Sequence, residues 1–277
     1  VTQVDSDARL VDAHGQRHTR AEGGARIVSL VPSITELLFD MELGAEVVGR
    51  TGFCIHPREA LRGVPKLGGT KDVDIDALLA LAPTHVIVNI DENTRETFEA
   101  LRGRVPHVLV THPNAPADNV ALYELIGTVF NRERIAATLV DKLTLAMARL
   151  ARAAATQPSR RVLYLVWREP WMTVAQGTYI SNMLALLGWH TVPMRSEVRY
   201  PALASESLAT LGAELCLLSS EPYPFRDKHI AELKSLLGAA IPVRLIDGEM
   251  VSWYGSRAIA GLDYLADYAG ALSASAA

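Results

Sequence analysis

Asp76-Ala77-Leu78-Leu79-Ala80-Leu81, running on through Pro83 to Val86-Ile87-Val88, has a counterpart later in the chain. Glu206-Ser207-Leu208-Ala209-Thr210-Leu211 runs on to Cys216-Leu217-Leu218, and the offset from Asp76 to Glu206 is kept at every matched position. In each copy an acid opens a short helical stretch, leucines follow, and a β-rich apolar run closes the unit. Further on, Val105-Pro106 stands before one strand and Ile241-Pro242 before another. Strand, helix and acid recur in the same order, so the repeat predicts two similar lobes.

Outward from this repeat, strands and helices alternate. Ile27-Val28-Ser29-Leu30-Val31 reads as a buried strand; Ser33 and Ile34 start a helix over Thr35 to Met41, with Gly44 as its stop. Val86–Val88 and Val108–Val110 read as short strands with helical spacing between Thr94 and Arg102. The second half repeats the pattern: a strand over Arg161–Val166, a helix over Tyr179–Leu187 closed by Gly188, and strands at Leu215–Leu218 and Val243–Ile246. Such βαβ alternation predicts an α/β fold with parallel sheets covered by helices. Between the halves, Thr128 to Gln157 holds no Gly or Pro, and Ile135, Leu139, Leu143, Met147 and Leu150 fall on one stripe. With Asn131 as N-cap and Pro158 closing the segment, this reads as one helix of about 24 residues, about 36 Å long at 1.5 Å per residue. The expected organisation is an N-terminal lobe over 1–115, a helical connector over 116–158 and a C-terminal lobe over 159–277.

Composition bounds the function. Of 277 residues, 49% are hydrophobic and 21% charged, enough for sizeable cores, and the net charge of −4 offers no basic excess for nucleic acid. Cys54 and Cys216, the two cysteines, are too few for a disulfide scaffold and read as buried thiols. No apolar run reaches the length of a membrane span. The stretch before Arg26 carries Asp5, Asp7, Arg9, His14, His18 and Arg20 without an apolar run, so no signal peptide is read in this chain. His14 and His18 have an i,i+4 metal-ligand spacing without a nearby third ligand, and read as solvated histidines. GxGxxG after a strand and GxxxxGK[ST] are missing, so a dinucleotide or P-loop site is unsupported, and there is no GxSxG elbow and no HExxH.

Chemistry gathers instead at predicted strand ends. Trp167-Arg168-Glu169-Pro170-Trp171 follows one strand, Glu221-Pro222-Tyr223-Pro224-Phe225 another, and Trp253-Tyr254 lies just beyond a third. In the first lobe Asn89-Ile90-Asp91-Glu92 follows Val88, and Phe53 precedes His56-Pro57. Ligands of parallel α/β sheets bind at carboxyl strand ends, and aromatic rings there suit a planar or bulky ligand. Trp171 and Trp253 are expected to line the site and Phe225 to pack a core. Asp76 and Glu206, equivalent in the repeat, favour the positive ends of their own helices and are suited to pairing with cations on a partner.

Arg26-Ile27-Val28-Ser29-Leu30-Val31-Pro32-Ser33-Ile34-Thr35-Glu36 resembles the opening of the substrate-binding proteins of ABC importers for vitamin B12, ferric siderophores and haem. Val73-Asp74-Ile75-Asp76-Ala77-Leu78-Leu79-Ala80-Leu81-Ala82-Pro83 resembles their next motif, and Asp12-Ala13-His14-Gly15 is similar to the D-x-x-G of their N-terminal strand. The resemblance spans about residues 10 to 270 and is strongest to the family's vitamin B12-binding branch. It implies two α/β lobes bridged by one long helix, and a ligand held in a cleft between them. It places permease-docking acids at Asp76 (Asp where the family has Glu) and Glu206, and ligand-lining aromatics at Phe53 and Tyr200, with Thr70 where a further tryptophan stands. The expected ligand set is Phe53, Asn89, Asp91, Glu92, Trp167, Arg168, Trp171, Tyr200, Glu221, Trp253 and Tyr254. The implied protein is a monomeric, non-enzymatic receptor without an intrinsic cofactor or metal. It takes cobalamin or another metal chelate to an ABC-importer permease, in the periplasm or at the cell surface, with a cytoplasmic location left open. A ferric siderophore or haem is the alternative ligand. A bare zinc or manganese receptor, for which Asp91, Glu92 and Glu221 are the obvious ligands, and an enzyme acting in the cleft stand behind it.

Overall fold

The computed structural model describes residues 9–274, and among them ten strands form two sheets. The first sheet holds β1 (Ile27–Ser29), β2 (Val47–Arg50), β3 (His85–Asn89) and β4 (His107–Thr111), all parallel in the order β2-β1-β3-β4. Helices α1 (Pro32–Asp40), α2 (Ile75–Ala80) and α3 (Arg95–Leu101) connect its strands, and α4 (Asn119–Val129) follows β4. A single long helix, α5 (Glu133–Ala154), comes next. The second sheet holds β5 (Arg160–Trp167), β6 (Trp171–Thr173), β7 (Trp189–Thr191), β8 (Ala202–Leu203), β9 (Leu215–Ser219) and β10 (Val243–Ile246). Its order is β10-β9-β5-β6-β8, with β7 parallel to the start of β5 and β6 antiparallel to its end. Its helices are α6 (Tyr179–Ala185), α7 (Asp227–Leu237), α8 (Gly248–Ser252) and α9 (Arg257–Ala274).

The repeat of the sequence is a repeat of pairing. Ile27 faces His85 across β1 and β3, and Val162 faces Leu215, the repeat counterpart of His85, across β5 and β9. Strands β2-β1-β3-β4 thus correspond to β7-β5-β9-β10. The equivalent apolar residues fill equivalent cores: Leu78, Val86 and Val88 pack in the first, Leu208, Cys216 and Leu218 in the second. Side chains alternate across a strand, so the odd members of each apolar run serve one layer of helices and the even members the other.

The chain divides into two compact units. Among the described residues, one takes those up to Pro113, with Asp118–Lys142 and Tyr254–Arg257; the other takes Asn114–Ala117, Leu143–Trp253 and those from Ala258 to Ala274. The boundary at Lys142/Leu143 falls inside α5, so one continuous helix belongs to both. Its buried residues, Ala136, Leu139, Leu143, Ala146 and Leu150, recur at alternating steps of three and four along one stripe.

Several local expectations shift. The first helix begins at Pro32, whose fixed φ suits a first turn, and ends at Asp40 rather than Met41. Glu42, not Gly44, takes the left-handed conformation after it, with φ of +59°. Asn131 does not cap α5: it too is left-handed, at φ +57°, and closes the turn between α4 and α5, so the long helix starts at Glu133. The Glu206 stretch is a 3₁₀ turn over Ser205–Leu211, not an α-helix. His18 is buried rather than solvated, because its Nε2 meets Asp12 Oδ2 at 3.0 Å. Asp12 also accepts from the backbone N–H groups of His14, Gln16 and Val110, pinning the D-x-x-G turn to β4. Cys54 and Cys216 are buried free thiols, and burial pushes the Cys216 thiol up to about 12.

Candidate functional site

The carboxyl ends of the strands divide the expected ligand residues into those the fold leaves open and those it consumes. In the first unit, β2 ends at Arg50 and releases a loop that presents Phe53 with 62% of its surface exposed; Ile55 and, after β3, Ile90 are exposed beside strand ends as well. Asn89 is buried: its Oδ1 accepts from the N–H groups of Asp91 (2.8 Å) and Glu92 (3.3 Å), and its Nδ2 donates to Thr111 Oγ1 (3.4 Å). With those bonds made, Asn89 shapes the turn after β3 and does not present an open amide. Asp91 and Glu92 are half-buried on that turn. Lys71 Nζ donates to the Asp91 carbonyl at 2.7 Å.

Glu92 is met by Tyr254, whose hydroxyl donates to Glu92 Oε1. Tyr254 is buried, and burial together with the Glu92 carboxylate pushes its hydroxyl well above the ordinary tyrosine range. It is a structural donor rather than a ring lining an open site. The segment it opens is fastened to the first unit throughout. Gly255 N–H donates to Asn119 Oδ1 at 2.6 Å and Gly255 O accepts from Tyr123 at 2.8 Å. Arg257 makes two bonds to Glu36, at 2.6 and 2.7 Å.

In the second unit Trp167 ends β5 with 40% of its surface exposed, and Tyr200, Met194 and Val198 stand exposed on the loop after β7. Trp171 is a correction. It is 5% exposed and packs in the core, its ring stacked on Phe225 with centroids 6.2 Å apart and its Nε1 donating to Ser205 Oγ. The reason is the tight return of β5 into β6, which turns Trp171 onto the sheet's packed face; Phe225 packs there as expected. Arg168 is spent in the same place. Its guanidinium pairs with Glu232 (2.8 Å) and Glu169 and lies 5.6 Å over the Trp171 ring. Trp253 is likewise only 8% exposed, and its Nε1 donates to Glu221 Oε1 at 2.8 Å, the oxygen that also accepts from Ser252. Burial raises the Glu221 carboxyl above its ordinary range against these two donors. Gly248 permits this corner: a Cβ there would stand 2.4 Å from Ser219 Oγ and 2.6 Å from Glu221 Cγ.

Among the described residues no three of His, Cys, Asp and Glu come together as metal ligands would. Asp76 and Glu206 are both exposed, and the pattern of exposed and half-buried residues from Asp72 to Leu78 recurs residue for residue from Ala202 to Leu208. Ile55, Ile90, Met194 and Val198 are exposed as well and were not among the expected residues. Ile55 and Ile90 follow strand ends, while Met194 and Val198 lie on the long run from β7 to β8, and a lone aliphatic side chain in either place reads no differently from a core residue.

A model of the periplasmic binding protein family matches residues 27–235. The chain belongs to that family. Relatives in sequence include the vitamin B12-binding protein of Pectobacterium carotovorum, 21% identical over 252 residues that span 90% of this chain and 89% of that one. In structure, the chain is similar to the periplasmic vitamin B12 binding protein BtuF of Vibrio cholerae, with a TM-score of 0.78 at 18% identity over 89% of this chain and 97% of that one. It is also similar to the periplasmic heme-binding protein BhuT in complex with two hemes, with a TM-score of 0.77 at 20% identity over 89% and 98%. At these identities the likeness carries the fold: two α/β units of the class III periplasmic binding protein type. The family's proteins bind solutes rather than transform them, and among the described residues no helix is long and apolar enough to cross a membrane.

Proposed function

We propose that this chain is the solute receptor of an ABC importer for a metal chelate with a large apolar face, a corrinoid first and haem or a ferric siderophore second. The observation that carries the reading is the set of exposed apolar side chains beside carboxyl strand ends of both units, Phe53 and Ile90 in one and Trp167 in the other, with Tyr200 exposed on the run into β8. Large exposed apolar groups at such positions mark a binding surface, since soluble proteins rarely leave them uncovered without a use. The corrinoid ranks first because the relatives matched by sequence are vitamin B12-binding proteins. The haem-binding neighbours support the second choice. On this reading Asp76 and Glu206 dock a membrane permease, and the protein works as a monomer on the outer side of the membrane.

The test is a thermal-shift screen with cobalamin, cobinamide, haem and ferric siderophores, followed by visible spectroscopy of the mixture. A true ligand at 100 times its Kd stabilises by about 2.7 kcal/mol. Trp167→Ala and Phe53→Ala are each expected to weaken that ligand about ten-fold, as for an aromatic anchor. Absence of a shift with every chelate overturns the reading.

A further inference from the structure

The loop that leaves β2 at Thr51 returns beside the strand's end. Arg50 N–H donates to Pro65 O at 3.0 Å, and Leu67 N–H donates to Arg50 O at 2.8 Å. Beside this loop opens a cavity of about 390 Å³, lined by Arg50, Arg58, Arg62 and Lys66, with Cys54, Ile55 and Leu61 as its apolar wall. It lies wholly within the first unit.

Its charge is unbalanced. Glu59 is the single acid between Thr51 and Lys66, and it pairs with Arg62 at 2.8 Å. Arg58 and Lys66 are exposed and form no ion pair among the described residues. Arg50 is the unusual member, at 6% exposed. It donates to three backbone carbonyls, Thr51 O (3.2 Å), Cys54 O (2.9 Å) and Leu61 O (3.1 Å), and its buried Nε–H has no partner. Carbonyl dipoles satisfy donors but bring no net charge, and a buried cation without a counter-charge is costly. Three further cations on the same cavity add repulsion of the same sign. An anion seated there would remove both costs, and guanidinium groups suit carboxylate and phosphate oxygens geometrically.

We propose that this cavity is a binding site for a small, multiply charged oxyanion bearing phosphate or carboxylate groups, held by Arg50, Arg58, Arg62 and Lys66. It shares the loop of Phe53 and Ile55 with the chelate reading but does not rest on that reading. The test is isothermal titration of the full chain with inorganic phosphate and, separately, with citrate, against chloride at equal ionic strength. Saturable one-to-one binding of at least one is expected, and the tighter of the two assigns the oxyanion as phosphate or polycarboxylate. The Arg58→Ala/Lys66→Ala double variant is expected to bind at least ten-fold more weakly, with a melting temperature in the absence of anion that is not lowered, because both side chains are exposed and two like charges leave the cavity. Arg50→Met, which keeps the apolar stem and removes the charge, is expected to lose the binding. No saturable heat with either anion, or a double variant that binds like the parent, overturns the proposal.

Discussion

Trp167 and Trp171 stand four positions apart and do opposite work. Trp167 ends β5 and stays open, whereas Trp171 begins β6 and is stacked on Phe225 inside the second core. Truncating a buried tryptophan removes both its transfer free energy and the packing around it, so Trp171→Ala is expected to cost about 3–5 kcal/mol of stability in denaturant melts. Trp167→Ala is expected to cost under about 1 kcal/mol, its loss appearing in ligand affinity instead. A second residue-scale expectation concerns pH. His85 is buried, stacks on His107 with centroids 4.7 Å apart, hydrogen-bonds Thr84 Oγ1 through Nδ1, and leaves Nε2 buried without a partner. Burial first, then the neighbouring His107 and His18, push its pKa down to about 4. Folding therefore takes a group that binds a proton near 6.5 when unfolded and holds it neutral. Stability is full above about pH 6.5, falls as the pH drops toward 4, and levels below that, by at most about 3 kcal/mol. Asp12, held low by His18 and backbone donors despite its burial, adds a loss only at still lower pH. Urea melts at pH 7.5 and 5 check this, and His85→Gln should flatten the difference; an unchanged slope would assign the loss to other groups.

At the scale of elements, the two copies of the repeat differ where a cap differs. Asp74 caps α2, its carboxylate accepting from Ala77 N–H at 2.9 Å, while the equivalent position of the second copy is Ala204, which has no side-chain acceptor. The first copy is accordingly an α-helix and the second a 3₁₀ turn. Asp74→Ala is expected to lower stability by about 1 kcal/mol, and Ala204→Asp, whose backbone already has cap-like φ of −73° and ψ of 142°, to raise it by up to about 1 kcal/mol. Thermal melts of the two variants check both signs. The same comparison shows what was legible from sequence. The cores of β1, β3, β4, β5, β9 and β10 and the long helix were, because apolar period and the absence of Gly and Pro are local signals, whereas the short strands β2, β6, β7 and β8 were not. The start of α5 was not, because Asn131 serves equally as a cap or as a left-handed closing residue, and only the turn it joins decides. The burial of Trp171, Trp253 and Tyr254 was not either. Whether a ring at a strand end is covered depends on Phe225, Glu221 and Glu92, and no spacing rule relates those residues to it.

At the scale of the whole molecule, a receptor must be recognised by its permease without losing its ligand, and the repeat offers a means. Asp76 and Glu206 are exposed, occupy equivalent places in the two units, and form no ion pair among the described residues. Each is therefore available to a cation on a partner. An exposed ion pair contributes only about 0–1 kcal/mol, so in the proposed docking the two acids would set register and approach more than affinity. Their own structural role is small: Asp74, not Asp76, caps α2, and Glu206 lies in a 3₁₀ turn that has little dipole to complement. Asp76→Lys with Glu206→Lys is thus expected to shift stability by at most about 1 kcal/mol. Chelate affinity should be unchanged, because the exposed apolar residues at the strand ends are left intact. Transport in a reconstituted importer should be abolished, since like charges would then face each other, while single reversals should give partial loss. Association of the unaltered receptor with its permease should weaken as salt rises, because exposed charges are screened over about 10 Å at 0.1 M ionic strength. A double reversal that still supports full transport would remove the docking assignment, and one that destroyed chelate binding would move these acids from the permease face into the ligand site.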